Sequence, residues 1–189
     1  MKIYLASASP RRKMLLSKVG INFQLIKPKY EEKMDDKLEP EEYAKKNAIQ
    51  KVKSVLNKIT DGLIITADTI VVKDNEILGK PKDKDDARRM LEILSGTSHF
   101  VVTAIVVFNK GLNKMENKVE RTKVFMRDMS KKEIQRYIDS GEPLDAAGAY
   151  KIQEKGAKFI KRIEGCYYNV VGLPIATLIE MLKKFNVEV

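Results

Sequence analysis

The spacing of apolar residues predicts helices and strands that alternate along the chain. Short apolar runs at 3–5 and 76–78, an extended run at 23–27 and the continuous run LIITADTIVV at 63–72 are typical of strands. Two longer runs at 99–108 and 118–127 flank a polar turn and predict a hairpin, and NVVGLP at 169–174 predicts a last strand. Apolar positions three and four residues apart predict helices over 10–19, 41–59, 83–94, 131–138 and 175–182.

This order of elements predicts an α/β fold with a mixed sheet, because helices and strands alternate while the hairpin adds antiparallel pairing. SKKE at 130–133 is a capping box for the helix that follows it. The segment GEPLDAAGAYKIQ at 141–153 is rich in small residues and is expected to be irregular. No linker, repeat or low-complexity segment interrupts the chain, so we expect a single domain over residues 1–189.

The stretch LASASPRRKMLL, residues 5–16, places positive charge where a helix prefers negative charge. Ser9 is a typical N-cap and Pro10 a typical first helical residue. Arg11 and Arg12 then occupy the first turn, although its N–H groups carry partial positive charge and favour Asp or Glu. Either an anion from outside is bound by the N–H groups and both guanidinium groups, or the arginines point into water.

Two ionisable residues interrupt apolar patterns. Asp68 lies inside the strand-like run 63–72, so its carboxylate must be paired, bind a metal or face a cleft, unless it closes a turn at a strand end. Lys51 falls at the edge of the apolar stripe of helix 41–59, about 20° outside Ala44 and about 40° from Val55. Its ammonium group either snorkels to water or reaches into a site.

Further charged residues complete a set that suits phosphate chemistry. Lys80, between Gly79 and Pro81, projects one cation from a fixed backbone, and the loop pair Glu31-Glu32 can supply a ligand for a hard cation beside Asp68. Several cations with two carboxylates suit metal-assisted attack on a nucleoside triphosphate. Neither GxxxxGK[ST] nor GxGxxG occurs in the chain, which excludes those two phosphate-binding loops.

Composition narrows the classes of protein without choosing one. The chain has 189 residues and a net charge of +10, which favours a nucleotide, a nucleic acid or an acidic membrane as partner. Cys166 and His99 are the only residues of their kinds, which excludes disulfides and Cys-based zinc sites, and both are expected to be packing residues. The longest apolar stretch, 100–108, is about half a membrane span, and the N-terminus lacks a secretory signal pattern. We therefore expect a soluble, cytoplasmic protein.

Six segments together resemble the Maf family of nucleoside triphosphate pyrophosphatases, in the family's order from residue 5 to about 175. They are SASPRRKMLL, ADTIVV, LGKP, LSGTSHFVVTA, SGEPLDAAGAYKIQ and IEGCYYNVVGLP. The resemblance implies a twisted mixed sheet similar to that of inosine triphosphatases, with two lobes around a central cleft. It also implies hydrolysis between the α- and β-phosphates of a nucleoside triphosphate with Mg²⁺ or Mn²⁺, by an enzyme that forms a homodimer.

The resemblance further implies roles for individual residues. Asp68 is the general base that activates water, and Glu32 is its companion in binding the metal. The implied phosphate ligands are Ser7, Arg11, Arg12, Lys51 and Lys80. Arg11, Thr69 and Gln153 match positions linked to substrate choice.

The segment GAYKIQ resembles the branch of the family that acts on dTTP and UTP. The Gln153 amide offers a donor and an acceptor together, which matches the N3–H and carbonyl groups of uracil or thymine. The branch that acts on 7-methyl-GTP has Glu near this point, so that nucleotide or another modified purine is the alternative substrate. Ala146 stands where a Lys is common, and Lys151 stands where a Gly is common. The first removes a cation near the cleft, and the second changes the surroundings of the base.

Two alternatives come from other classes of protein. A basic nucleic-acid-binding module would use the charge of +10 and would bind with a steep salt dependence. Against it, the chain has no Trp and no RNP-like or KH-like segment, so no stable nucleic-acid partner is expected. A septum-linked regulatory role is the second alternative, and the sequence does not separate it from nucleotide hydrolysis.

Overall fold

The computed structural model describes residues 1–32, 35 and 37–188. The strands are β1 (Ile3–Ala6), β2 (Gln24–Ile26), β3 (Leu63–Lys73), β4 (Glu76–Leu78), β5 (Ser98–Asn109), β6 (Lys114–Met126) and β7 (Ile160–Glu164). The helices are α1 (Pro10–Lys18), α2 (Pro40–Lys53), α3 (Lys84–Leu94), α4 (Lys131–Asp139), α5 (Tyr167–Val171) and α6 (Ile175–Lys183). Short 3-10 turns lie at Leu56–Lys58, Glu142–Asp145, Ala147–Ala149 and Lys155–Phe159.

The strands among these residues form one mixed sheet, which confirms the expected α/β class. Its order is β2-β1-β3-β5-β6-β7, and β4 pairs with β3. β1 runs parallel to both β2 and β3, whereas β4 is antiparallel to β3 and β7 is antiparallel to β6. β5 and β6 are neighbours joined by residues 110–113, where the sequence predicts a polar turn.

The chain divides into two compact units. The first comprises Met1–Asp68, Thr103–Glu120 and Gly172–Val189, and the second comprises Thr69–Val102 and Arg121–Val171. The first buries apolar side chains of β1, β3, α1, α2 and α6, and the second those of α3 and α4 with the adjoining strand segments. The single domain over 1–189 and the central cleft stay predictions.

Capping residues begin two helices where the sequence places them. Ser130 and Glu133 form the predicted capping box of α4, each side chain bonding the other residue's backbone N–H. Asp83 precedes α3, and its carboxylate accepts from the Asp86 N–H at 2.8 Å. These local bonds explain why the starts of both helices are readable from sequence.

Helix α2 ends at Lys53, six residues before the predicted end. The Ser54 hydroxyl donates to the carbonyl of Lys51 at 2.8 Å, and the N–H of Val55 bonds to Val52. The chain therefore tightens into the 3-10 turn Leu56–Lys58. Val55 and Ile59 are still buried, so the apolar spacing predicted which residues face the core but not the helix end.

The strand predicted at 169–174 is wrong, because residues 167–171 form α5. The buried Asn169 side chain donates to the carbonyl of Val101 at 3.0 Å and to the hydroxyl of Thr122 at 2.9 Å. Two adjacent valines cannot distinguish a strand from one turn of buried helix. In α5 the Asn169 amide points inward and is held by Val101 and Thr122, two residues distant in sequence.

Strand β7 is absent from the sequence prediction. Its residues IKRIE are half-buried or exposed, and it lies at one end of the strand order. Charged residues are common on edge strands, where they discourage pairing with other chains. The segment consequently has no apolar run from which a strand could be predicted.

No helix among the described residues is long and apolar enough to cross a membrane.

His99 and Tyr150 form a buried polar pair in the second unit. His99 Nε2 lies 2.7 Å from Tyr150 Oη, and the two rings meet edge to face. His99 Nδ1 has no hydrogen-bond partner among the described residues. Burial, helped by the charge of Lys73, lowers the pKa of His99 to about 3. His99 is therefore a neutral packing residue at physiological pH, as expected.

We predict that His99 makes the protein less stable in mild acid. An unfolded histidine takes up a proton near pH 6.5, whereas folded His99 does so only near pH 3. The contribution of neutral His99 to the free energy of unfolding is present above pH 6.5 and is lost as the pH falls. The loss between pH 7 and pH 5 is about 2 kcal/mol. Urea unfolding at both pH values should show a smaller loss for His99→Gln than for the wild type. Equal losses would contradict the assignment.

Candidate active site

A buried carboxylate in the middle of β3 is the centre of a group of charged residues in the first unit. Asp68 is 3% exposed. Its Oδ1 accepts from Lys51 Nζ at 2.6 Å, and its Oδ2 accepts from Asn47 Nδ2 at 3.2 Å. The expectation that the Asp68 carboxylate is paired is confirmed, and the alternative that it closes a turn at a strand end is wrong.

Lys51 brings two carboxylates to one point. Its ammonium lies 2.6 Å from Asp68 Oδ1, 2.6 Å from Glu32 Oε1 and 3.3 Å from the carbonyl of Ala67. The Lys51 side chain is only 10% exposed, so it does not snorkel to water and instead reaches into this group. The Glu32 side chain is 47% exposed, which leaves this edge of the group open to solvent.

Helix α2 is held against β3 by a second polar contact. The Thr66 hydroxyl donates to the carbonyl of Ala48 at 2.8 Å, and both residues are fully buried. Ala44 and Ala48 are small enough for the helix to pack against the strand over this stretch. Lys51 therefore approaches Asp68 from a helix that is already fixed in register.

Sequence reasoning missed Asn47, which lies one helical turn before Lys51. Its amide donates to Asp68 and accepts from the Tyr30 hydroxyl at 2.9 Å. Partial burial raises the pKa of Tyr30, and the charges of Glu32 and Asp68 also raise it, against an opposing effect of Lys46. Asn47 is 1% exposed, and a polar residue beside Ala44 and Ala48 is the same signal that pointed to Lys51.

Arg12 is buried, so the alternative in which it points into water is wrong. Its Nε donates to the carbonyl of Gly172 at 2.8 Å, and its Nη1 donates to the carbonyl of Ala67 at 2.8 Å. Burial lowers the pKa of Arg12, while the charges of Asp68 and Glu32 act in the opposite direction. Because Arg12 and Lys51 both bond Ala67, the two cations meet at the residue before Asp68.

Ser7 orders the chain just before α1. Its hydroxyl accepts from the N–H of Ser9 at 3.1 Å and from Arg12 Nη1 at 3.4 Å. Ser9 is the N-cap residue, as predicted, but its side chain makes no capping bond. The first turn contains no acidic residue, and Arg11 within it is half-buried.

Three predicted site residues lie in the second unit, namely Thr69, Lys80 and Gln153. Thr69 follows Asp68 in β3 and is half-buried. Lys80 is exposed, and its Nζ donates to Asp145 Oδ1 at 2.9 Å. The N–H of Gly148 donates to the carbonyl of Gly79 at 3.1 Å, which attaches the segment carrying Lys80 to residues 145–148.

Gln153 is half-buried at the far end of the irregular segment. Its amide donates to Glu154 Oε1 at 3.3 Å, and Lys151 Nζ lies 3.7 Å from Glu154 Oε2. Lys151, which is unusual because a Gly is common at its position, therefore lies beside the acidic residue Glu154. Ala146, at the other unusual position, is buried.

Glu32 and Asp68 fit the requirements of a hard divalent cation. Their oxygens converge on one positively charged nitrogen, and Mg²⁺ commonly takes one or two carboxylates together with phosphate and water oxygens. Within residues 1–32, 35 and 37–188, no three or more His, Cys, Asp or Glu side chains are grouped to hold a metal ion. Two carboxylates alone would leave the other coordination positions of such an ion to oxygens of substrate or solvent.

Comparison with known proteins gives consistent matches over nearly the whole chain. The family model described as Maf-like protein matches residues 2–185. The dTTP/UTP pyrophosphatase of Dictyoglomus thermophilum is 48% identical over 186 residues, covering 98% of this chain and 96% of that protein. The dTTP/UTP pyrophosphatase of Carboxydothermus hydrogenoformans is 46% identical, covering 98% and 100%. The solved structure of the Staphylococcus aureus Ham1 protein shares the fold at 15% identity, with a TM-score of 0.53 and coverage of 98% and 100%.

We predict that removing the Lys51 charge destabilises the protein because it leaves Asp68 buried without its cation. In urea unfolding with EDTA present, Lys51→Met should lower the free energy of unfolding by about 3 kcal/mol. The double variant Lys51→Met/Asp68→Asn should recover most of that loss. Lys80→Met, which breaks an exposed pair, is the matched control and should cost less than about 1 kcal/mol. Similar losses for the two single variants would refute the prediction.

Proposed function

This chain belongs to the Maf family, and we propose that it hydrolyses dTTP and UTP to the nucleoside monophosphate and pyrophosphate. The names of its relatives from Dictyoglomus and Carboxydothermus support this substrate class. By the same resemblance, we propose that all 189 residues act as one nucleotide pyrophosphatase domain in a cytoplasmic homodimer.

The observation that carries the proposal is the pairing of Lys51 with both Asp68 and Glu32. A carboxylate that is to accept a proton from water must be held in a fixed orientation, and both Asp68 oxygens are so held. A triphosphate also needs positive charge near the reacting group. Lys51 and buried Arg12 supply that charge beside Asp68, since both donate to the carbonyl of the preceding residue, Ala67.

In the proposed reaction, Asp68 takes a proton from water as the water oxygen bonds to the α-phosphorus. The bond from the α-phosphorus to the oxygen bridging to the β-phosphate breaks, and that oxygen leaves with the pyrophosphate. Lys51, Arg12 and Lys80 stabilise the negative charge that develops on the leaving group. Ser7 and Arg11 contribute further contacts to phosphate oxygens at the start of α1.

Glu32 and Asp68 would hold the divalent cation, Mg²⁺ or Mn²⁺. When bound, such an ion polarises phosphate oxygens as a Lewis acid. Lys51 neutralises part of the charge of these two carboxylates. Phosphate oxygens that approach the carboxylates would therefore also lie close to the Lys51 ammonium group.

Base selection is proposed for the residues near Gln153. The Gln153 amide can donate to a carbonyl oxygen and accept from the N3–H of a pyrimidine. A carboxylate at this position would only accept, which suits a donor-rich guanine edge. Thr69 and Arg11 are proposed to complete the selection.

A metal-dependent screen of canonical and modified nucleoside triphosphates tests the reaction and the substrate together. UTP and dTTP should give monophosphate and intact pyrophosphate faster than the other nucleotides. Diphosphate with inorganic phosphate would overturn the reaction type. Preferential hydrolysis of 7-methyl-GTP would overturn the substrate assignment alone.

Asp68→Asn is predicted to abolish turnover while the fold is retained. The amide cannot take the proton from water, and a positioned general base typically contributes about 10² to 10⁴ in rate. Pyrophosphate release should fall by at least about 10³, and far-UV circular dichroism should be unchanged. Turnover near that of the wild type would rule out Asp68 as the base.

Gln153→Glu is predicted to weaken pyrimidine hydrolysis selectively. The carboxylate can no longer donate to a pyrimidine carbonyl, so kcat/KM for UTP and dTTP should fall by about tenfold or more. The rate with GTP in the same assay serves as the internal control. An equal loss with every nucleotide would contradict a role in base recognition.

A further inference from the structure

Residues 151–156, which contain Gln153, are held by a carboxylate from the segment that precedes them. Glu142 Oε1 accepts from the N–H of Gly156 at 3.1 Å, and Oε2 accepts from the N–H of Lys155 at 3.2 Å. Glu142 is half-buried and begins the 3-10 turn Glu142–Asp145. One side chain therefore fixes two successive backbone groups just after Gln153.

A tyrosine of α4 holds the other side of the same segment. Tyr137 Oη accepts from the N–H of Lys151 at 3.1 Å and donates to Glu142 Oε1 at 2.8 Å. Burial raises the pKa of Tyr137, and its hydrogen bond to Glu142 raises it further, so the phenol remains a donor. Gln153 is thus flanked by three backbone N–H groups that two bonded side chains hold.

The segment passes so close to these groups that only glycine fits at position 156. A Cβ added there would lie 2.6 Å from the carbonyl oxygen of Lys151 and 2.7 Å from Tyr137 Oη. The segment is also closed internally, since the N–H of Glu154 bonds to Lys151 and that of Ala157 bonds to Glu154. A tight loop with outside support on both sides leaves its side chains little freedom.

The support is itself rigid. Tyr137 is 1% exposed and packs edge to face against the fully buried Phe159, with ring centroids 5.2 Å apart. Helix α4 begins at a complete capping box, and the hydroxyl of Ser140, the residue that follows its last turn, donates to the carbonyl of Tyr137. A site residue on a loop needs such a fixed neighbour to hold its geometry.

We propose that Glu142 and Tyr137 are positioning residues that set the placement of Gln153 for base selection. This inference rests on the proposed function, because it assigns them no contact with the nucleotide. They act through the backbone of residues 151–156. Their loss should therefore weaken the binding of pyrimidine nucleotides more than it slows the chemical step at Asp68.

Glu142→Gln tests the inference because it keeps the size of the side chain and replaces one acceptor oxygen with a donor. KM for UTP and dTTP should rise by about tenfold, with kcat changed by less than about threefold. Amide exchange of Lys151, Lys155 and Gly156 should become at least about tenfold faster. In the Gln153→Ala background, Glu142→Gln should change KM by less than about twofold, since the residue it positions is gone.

Asp83→Asn is the matched control, since Asp83 also accepts a backbone N–H in the second unit, that of Asp86 at 2.8 Å, but bonds the start of α3 instead of residues 151–156. It should leave KM for pyrimidines unchanged. Should Glu142→Gln not fold, Tyr137→Phe, which removes only the bonds made by Oη, gives the same test.

The possible results separate the two proposals. Faster exchange with unchanged KM overturns the positioning role, and so does a KM increase that persists in the Gln153→Ala background. If the wild-type chain releases no pyrophosphate from UTP or dTTP, the proposed function itself fails, whatever the variants do.

Discussion

The burial of Asp68 within β3 is the constraint on which the rest of the first unit depends. A carboxylate removed from water is stable only when it is paired and hydrogen-bonded. The cation comes from Lys51 and the amide from Asn47, so both must lie on the same face of α2, four residues apart. Small residues at Ala44 and Ala48 permit the close packing that this requires. The pairing therefore specifies how α2 packs against β3, besides preparing a charged site.

The charges of the residues around Asp68 nearly balance, which bears on how a negatively charged ligand could bind there. Arg12 and Lys51 contribute two positive charges, and Glu32 and Asp68 contribute two negative charges. These four side chains together carry no net formal charge, although the whole chain carries +10. A triphosphate adds several negative charges to a partly buried place, which is unfavourable unless further cations accompany it. The divalent ion proposed for Glu32 and Asp68 would supply positive charge of this kind.

Sequence patterns predicted the parts of the fold that are encoded locally. The helix starts at Asp83 and Ser130 depend on bonds to residues three positions away, and both were readable. Helix α5 depends on a contact distant in sequence, that of Asn169 with Val101. Strand β7 has no apolar run, and α2 ends at short-range bonds of Ser54 and Val55 that apolar spacing does not reveal. At the site, Asp68 and Lys51 were detectable as charges in apolar surroundings. Asn47 gave the same signal, a polar residue in apolar surroundings, but without a charge. The contact of Tyr150 with His99 joins residues 51 positions apart, so local patterns do not predict it.

The two units hold their candidate residues by different physical means. Asp68 and Lys51 project from the interior of a strand and a helix, where main-chain bonds and apolar packing fix them. Gln153 projects from a short loop whose shape depends on side chains bonded to its backbone. Backbone support of this kind is indifferent to the side chain at position 153, so that residue can change without disturbing the loop. With the roles proposed for Asp68 and Gln153, chemistry and base recognition rest on separate sets of bonds, so such a fold can keep one hydrolytic group while the base it accepts varies.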